Sequence, residues 1–490
     1  SREAWQHHQI EVRQDLNAMV GEFPDRSPLN AKITGVIQKE DFRVEKVIFE
    51  SQPGFYVTGS LFVPEGGKRK KPAILNVIGH SAQSFRRDTY QNFILNMVAK
   101  GFIVFAIDPI GQGERLQYFD PALKRSAVGG STTEHSYITN QCLLVGHTVA
   151  KYFIWDGIRA IDYLVSRKEV DADRIGLTGL SGGGTQTTLI APFDERVKAS
   201  APACYITSYR RLLQSIGPQD GEQNLFHELA MGIDHPDLLE VLAPRPVLIV
   251  ATTRDFFSIQ GVRETYDEVK KIYHAYGAEA NISLSEEDHG HGFTTKNNEA
   301  TYAFFQKTLD LPGDPTEEDV EVFPEHELNI TETGQLSTSF GGKTVFDLNS
   351  TEVEKLVLQL EESRQKDPAH LESVRNKAVA LSGFRFSGQV VDMIFRGRYQ
   401  RKGYALEMVA IVSEEGYVIP VLLGVPDGQG IHPAVIYIHP GGKEEISKPG
   451  GRLEELVKQG YMVAAPDLLG IGETKSDRKY SGSHGYGAML

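Results

Sequence analysis

Gly179-Leu180-Ser181-Gly182-Gly183 stands between the run Arg174-Ile175-Gly176-Leu177-Thr178 and the small-residue stretch Gly184-Thr185-Gln186-Thr187-Thr188, a pattern that predicts a strand, a sharp turn and a helix. A serine at the tip of so tight a turn takes a strained backbone conformation. Side chains two residues either way would strike the neighbouring strand and helix, and glycine removes the collision. The chemistry such a turn serves is nucleophilic attack by the Ser181 hydroxyl. That attack needs a base to take the proton and an acid to orient the base, in the order Ser, acid, His. Asp255 follows the apolar run Val247–Ala251 through Thr252-Thr253-Arg254 and stands where the acid should. Glu264 and Asp267 are weaker rivals, because their surroundings read as the next helix. The base comes from Asp288-His289-Gly290-His291-Gly292-Phe293, after the predicted strand Asn281–Ser285. Either histidine could serve; His291, followed by Gly292-Phe293 and a helix beginning near Asn297, is preferred.

Attack on a carbonyl also creates an oxyanion. The backbone N–H of Gly182, which opens the helix after the nucleophile, points one donor at it, and the helix dipole there favours negative charge. A second donor should come from Gly79-His80-Ser81, the loop after Ala73–Ile78. His80 is preferred to Ser81.

These residues need a sheet to hold them. Ala73–Ile78, Ile103–Ile107, Ile175–Thr178 and Val247–Ala251 are short, nearly continuous apolar runs, as expected of parallel strands covered on both faces. They alternate with helical patterns, and Tyr152–Arg167 makes a right-handed crossover before the elbow strand. The fold class is therefore α/β, a doubly wound and mostly parallel sheet with flanking helices. At 490 residues the chain exceeds one core. A net charge of −14 argues against a nucleic-acid groove and against attraction to anionic lipid. Nothing in it is apolar enough over some eighteen residues to span a membrane. Cys142 and Cys204 are too few for a disulfide framework, lack metal-binding spacing, and read as buried small hydrophobes.

Together these residues resemble the α/β-hydrolase superfamily and, within it, the acetyl xylan esterase and dienelactone hydrolase-like branch that also includes prolyl-oligopeptidase-type hydrolases. Trp155-Asp156-Gly157-Ile158-Arg159-Ala160-Ile161-Asp162-Tyr163-Leu164, Ala243-Pro244-Arg245-Pro246 and His291-Gly292-Phe293 carry the resemblance, which covers roughly residues 55–311. It implies ester hydrolysis through an acyl-enzyme without metal or other cofactor: Ser181 as nucleophile, His291 as general acid and base, Asp255 as its orienting partner. The implied substrate is an acetyl or similar ester of plant or algal polysaccharide. Methyl or glucuronoyl esters of a uronic acid are the alternative, with Arg86, Arg87 or an insertion arginine on the carboxylate. A peptidase is disfavoured, because only about fifty residues stand where a propeller would precede the domain. A non-catalytic carbohydrate-binding relative is the reading from another class. Long insertions, 115–149 and 206–242, should overhang the site. They supply Arg115, Tyr118, Tyr137, Tyr209, Arg210, Arg211 and His235 for sugar.

The chain also repeats itself. Val63-Pro64-Glu65-Gly66, Pro72–Leu75, Met97–Val104, Asp108 and Gly111-Gln112-Gly113-Glu114 recur as Val425-Pro426-Asp427-Gly428, Pro433–Ile436, Leu456–Val463, Asp467 and Gly470-Ile471-Gly472-Glu473. The expected organisation is a helical flank over 1–54, a catalytic domain over 55–311, a linker with a small subdomain over 312–386, and a partial second hydrolase-like domain over 387–490. That second copy has no nucleophile of its own in this chain, and its abrupt end suggests a piece of a longer tandem enzyme. A leader removed before Ser1 would suit a secreted or periplasmic protein.

Overall fold

The computed structural model describes residues 2–67, 69–216, 219–385, 388, 391–413 and 416–475. It divides into two compact units at Gln359/Leu360. In the first unit nine strands form one sheet: β1 (Lys32–Gln38), β2 (Phe42–Gln52), β3 (Phe55–Pro64), β4 (Lys71–Asn76), β5 (Ile103–Ile107), β8 (Val170–Leu180), β9 (Val197–Ala203), β10 (Val247–Arg254) and β11 (Ile282–Gly290). Their order is β1-β2-β3-β5-β4-β8-β9-β10-β11. The first three strands are antiparallel to their neighbours, and from β5 to β11 the pairing is parallel. The two-residue strands β6 (Phe119–Asp120) and β7 (Arg125–Ser126) form a separate ladder in the first insertion, followed by helix α3 (Ser131–Leu144), and the second insertion carries the short helices α6 (Tyr209–Ser215) and α7 (His235–Glu240).

The apolar runs become buried parallel strands because helices cover both faces. On one side Ala73, Leu75 and Val77 pack with residues of α1 (Arg2–Val20), α4 (Ala150–Ser166), α5 (Gly182–Ile190) and α8 (Ile259–Ala275). On the other, Ile74 and Ile78 pack with α2 (Asp88–Ala99) and α9 (Thr295–Thr308). Among the described residues no helix is long and apolar enough to cross a membrane.

Two stretches differ from expectation. Within the supposed helical flank only α1 is helical; residues 32–52 are β1 and β2, whose apolar residues extend the sheet past β3. Residues 312–344, whose breakers and acidic run suggest a linker, pack on the first unit. Apolar burial and a buried ion network both hold them there. Arg86 is buried and donates to Asp108 (2.8 and 3.2 Å) and to Glu114 (2.6 Å). Glu114, itself buried, accepts from the amides of Ile330 and Thr331, while Leu328, Ile330 and Leu336 join the α2 face of the core.

The second unit holds β12 (Asp392–Arg401), β13 (Tyr404–Val412), β14 (Val418–Pro426), β15 (Ala434–Ile436) and β16 (Met462–Pro466), in the order β12-β13-β14-β16-β15. The pairing senses are antiparallel three times, then parallel, as in β1-β2-β3-β5-β4. The ion trio recurs too: Lys443 pairs with Asp467 and Glu473 at the repeat positions of Asp108 and Glu114.

Removing Arg86 would strand two buried carboxylates. Arg86→Met is expected to cost about 3–5 kcal/mol, read from urea unfolding of the whole chain; a loss below about 1 kcal/mol would show that the trio is not what holds this region.

Candidate active site

Ser181 follows the last residue of β8 and precedes α5, with φ 61° and ψ −121°, a backbone conformation that costs energy for any residue with a β-carbon. Neighbouring structure holds it there: its amide donates to the Ala203 carbonyl at 2.8 Å. The glycines are needed for space. A β-carbon on Gly179 would lie 2.1 Å from the Val77 carbonyl oxygen, and one on Gly183 would lie 2.3 Å from the same atom.

The acid and base meet through strand register. Arg254 pairs with Gly290 across the parallel β10–β11 ladder, so Asp255 and His291, each the next residue along, emerge side by side. His291 Nδ1 lies 2.9 Å from both Asp255 oxygens. Asp255 is held in turn by the Phe257 amide (3.0 Å) and the Thr252 hydroxyl (3.1 Å), and the Phe256 ring lies 4.3 Å from the His291 ring. With Nδ1–H assigned to the carboxylate, Nε2 is left as the basic nitrogen. β11 runs further than the sequence suggests, through Gly290, so His289 is an exposed strand residue whose Nδ1 faces the Gly290 carbonyl. Glu264 and Asp267 lie exposed on α8, Glu264 paired with Arg211.

Opposite, the Gly79-His80-Ser81 loop leaves β4 and lies against the start of α5. A β-carbon built on Gly182 would lie 3.2 Å from His80 Cε1 and 3.5 Å from Gly79 Cα. The Ser81 amide is engaged, donating to Gln112 Oε1 at 2.7 Å. Among the described residues no acceptor meets the His80 amide.

Several residues considered for substrate are structural. Arg86 is the buried centre of its ion trio, which removes it as a carboxylate holder. Arg115 is buried on Asp156 (2.7 Å), and the Tyr209 hydroxyl donates to buried Glu228 (2.6 Å), whose carboxyl is pushed up to about 7, chiefly by burial. His235 is buried, stacked on Tyr205 and accepting from the Thr207 amide. Tyr118 is half-buried, while Arg87, Tyr137 and Arg210 remain exposed.

The His80 side chain has a different setting, which sequence reasoning missed. Its ring meets His135 from α3 in the first insertion and Asp220 and Glu222 from the second, all three buried. Burial alone would lower both imidazoles, but the facing carboxylates outweigh it and hold His135 up to about 9, with Asp220 well below the usual carboxylate range. No local motif could reveal this cluster, because its members are scattered over positions 80, 135, 220 and 222. Cys142 and Cys204 are both buried free thiols.

Residues 29–229 match the acetyl xylan esterase (AXE1) family. The Bacillus subtilis (strain 168) protein named "Putative hydrolase YtaP" is 25% identical over an alignment of 319 positions that covers 61% of this chain and 99% of that protein. The solved structure of methylesterase BT1017 is 25% identical, with a TM-score of 0.56 over 74% of this chain and 76% of that one.

The tightness of the elbow can be measured. Gly179→Ala should destabilise the chain by about 3 kcal/mol, as overpacking against fixed backbone does, seen as a lower thermal midpoint; an unchanged midpoint would mean that Val77 can move aside.

Proposed function

We infer that this α/β-hydrolase, a carboxylic ester hydrolase of the acetyl xylan esterase kind, removes ester groups from plant or algal polysaccharide through an acyl-enzyme on Ser181. The observation that carries the reading is the alignment of three strand ends: Ser181, Asp255 and His291 each follow the last residue of β8, β10 and β11, with His291 Nδ1 on both oxygens of Asp255. In this reading His291 Nε2 takes the Ser181 proton as Oγ attacks the ester carbonyl. The amides of Gly182 and His80 receive the oxyanion. Collapse expels the alcohol, which leaves with the proton from His291, and a water activated by the same nitrogen then releases the acid. Asp255 stays ionised and holds the imidazolium. A polymeric substrate of this kind supports a site of action outside the cytoplasm, in a secreted or periplasmic setting.

Similarity to a methylesterase favours a second reading, in which the substrate is a methyl ester of a uronic acid. The two differ in which side carries the sugar: an acetyl ester loses it as the alcohol, a methyl ester keeps it on the acyl-enzyme. Exposed Arg87 could then approach a neighbouring uronate carboxylate.

With p-nitrophenyl acetate, Ser181→Ala and His291→Ala are each expected to lower kcat by about 10⁴-fold or more, whereas His289→Ala should stay within about twofold. Equal losses for the two histidine variants would overturn the assignment of the base. On oligosaccharides, release of acetate but no methanol supports the first reading, and methanol without acetate the second.

A further inference from the structure

We propose that His80, His135, Asp220 and Glu222 bind one divalent first-row transition-metal ion, which fastens the oxyanion loop to the two insertions. The donor atoms converge. His80 Nε2 lies 3.2 Å from His135 Nδ1, 2.9 Å from Asp220 Oδ2 and 2.8 Å from Glu222 Oε1. His135 Nδ1 lies 3.1 Å from Asp220 Oδ2 and 2.9 Å from Glu222 Oε2. Donors about 2.0–2.1 Å from a zinc-sized ion in tetrahedral array stand about 3.3 Å apart. His80 Nε2, His135 Nδ1 and Asp220 Oδ2, separated by 3.2, 2.9 and 3.1 Å, form one face of such an array, slightly contracted, and Glu222 turns Oε1 to His80 and Oε2 to His135.

Proton accounting points the same way. His135 Nε2 lies 2.8 Å from the Ile110 carbonyl and therefore carries a hydrogen, which leaves Nδ1 to face both carboxylates and, at 3.2 Å, a second imidazole nitrogen; hydrogens on the two facing nitrogens at once would oppose each other. One hydrogen on His80 Nε2 would face three acceptors. The Glu222 side chain is only 2% exposed, yet neither of its oxygens accepts a well-directed hydrogen bond among the described residues. A cation at the centre satisfies every one of these atoms. The outer contacts also fit: Ile110 orients His135, and Gln223 Nε2 donates to the other oxygen of Asp220 at 3.1 Å. Two imidazole nitrogens select a transition metal over Ca²⁺ or Mg²⁺.

Four protein donors close the coordination shell, which makes the ion a fastening rather than a source of activated water. Its consequence for turnover rests on the serine esterase reading: fixing the His80 ring fixes the backbone that offers its amide to the oxyanion. Binding itself does not rest on that reading.

The test begins with the full chain, stripped with a chelator, loaded separately with Zn²⁺, Mn²⁺ and Co²⁺, and freed of excess ion by gel filtration. Elemental analysis should find one equivalent of at least one of the three, and the Co²⁺ form should show tetrahedral d–d absorption. His135→Ala and Glu222→Gln, checked for folding by circular dichroism, should lose at least about tenfold in affinity, while Ser181→Ala and His291→Ala retain the ion. No stoichiometric uptake by the native chain would overturn the site. So would retention unchanged in His135→Ala, or loss in His291→Ala, which would put the ion on Cys204, Asp255 and His291 instead. Metal content is read without any ester, so failure of the esterase reading would leave this result standing.

Discussion

The Val77 carbonyl is the point about which the Ser181 end of the sheet is arranged. It lies where β-carbons on Gly179 or Gly183 would be, so β4 and the β8–α5 turn approach more closely than any side chain permits. The same approach runs through the Gly79-His80-Ser81 loop, since a β-carbon on Gly79 would fall 2.3 Å from the Leu180 carbonyl. This contact accompanies the positive φ of Ser181 and brings the opening of α5 against Gly79 and His80. Strain at one residue is maintained by backbone packing on three sides.

A second constraint is electrostatic and is used twice. Arg86–Asp108–Glu114 and Lys443–Asp467–Glu473 stand at matching places after matching strands, each carboxylate pair sharing one cation. The copies differ in what the glutamate does next. Glu114 is buried and draws in the amides of Ile330 and Thr331, whereas the Glu473 side chain is 70% exposed. Arginine suits the buried copy, because its fork reaches Asp108 through two nitrogens and Glu114 through one of them, which an ammonium cannot do with the same geometry.

Much of the site was legible because its parts obey local rules. A serine flanked by glycines between a strand and a helix, an aspartate just past an apolar run, and a histidine before Gly-Phe all carry their meaning within a few residues. Which of His289 and His291 meets Asp255 was less so: it turned on how far β11 continues, which depends on its pairing with β10. Arginines and tyrosines of the insertions misled for a related reason. Composition suits sugar binding or a buried polar network equally, and burial, which decides between them for Arg86, Arg115 and Tyr209, is not a local property.

By itself, then, the amino-acid order determined the α/β alternation, the elbow and its glycines, the places of Ser181, Asp255 and His291 after successive strands, and the repeat of residues 63–114 in 425–473. Those depend on periodicity and turn sterics, which act over a few residues. The tertiary structure alone decided that β1 and β2 extend the sheet, that residues 312–344 close over Glu114, and that His80, His135, Asp220 and Glu222 share one buried cluster. Such contacts join positions tens to hundreds of residues apart, where the cost of burying a charge is met only by whatever the folded chain brings beside it.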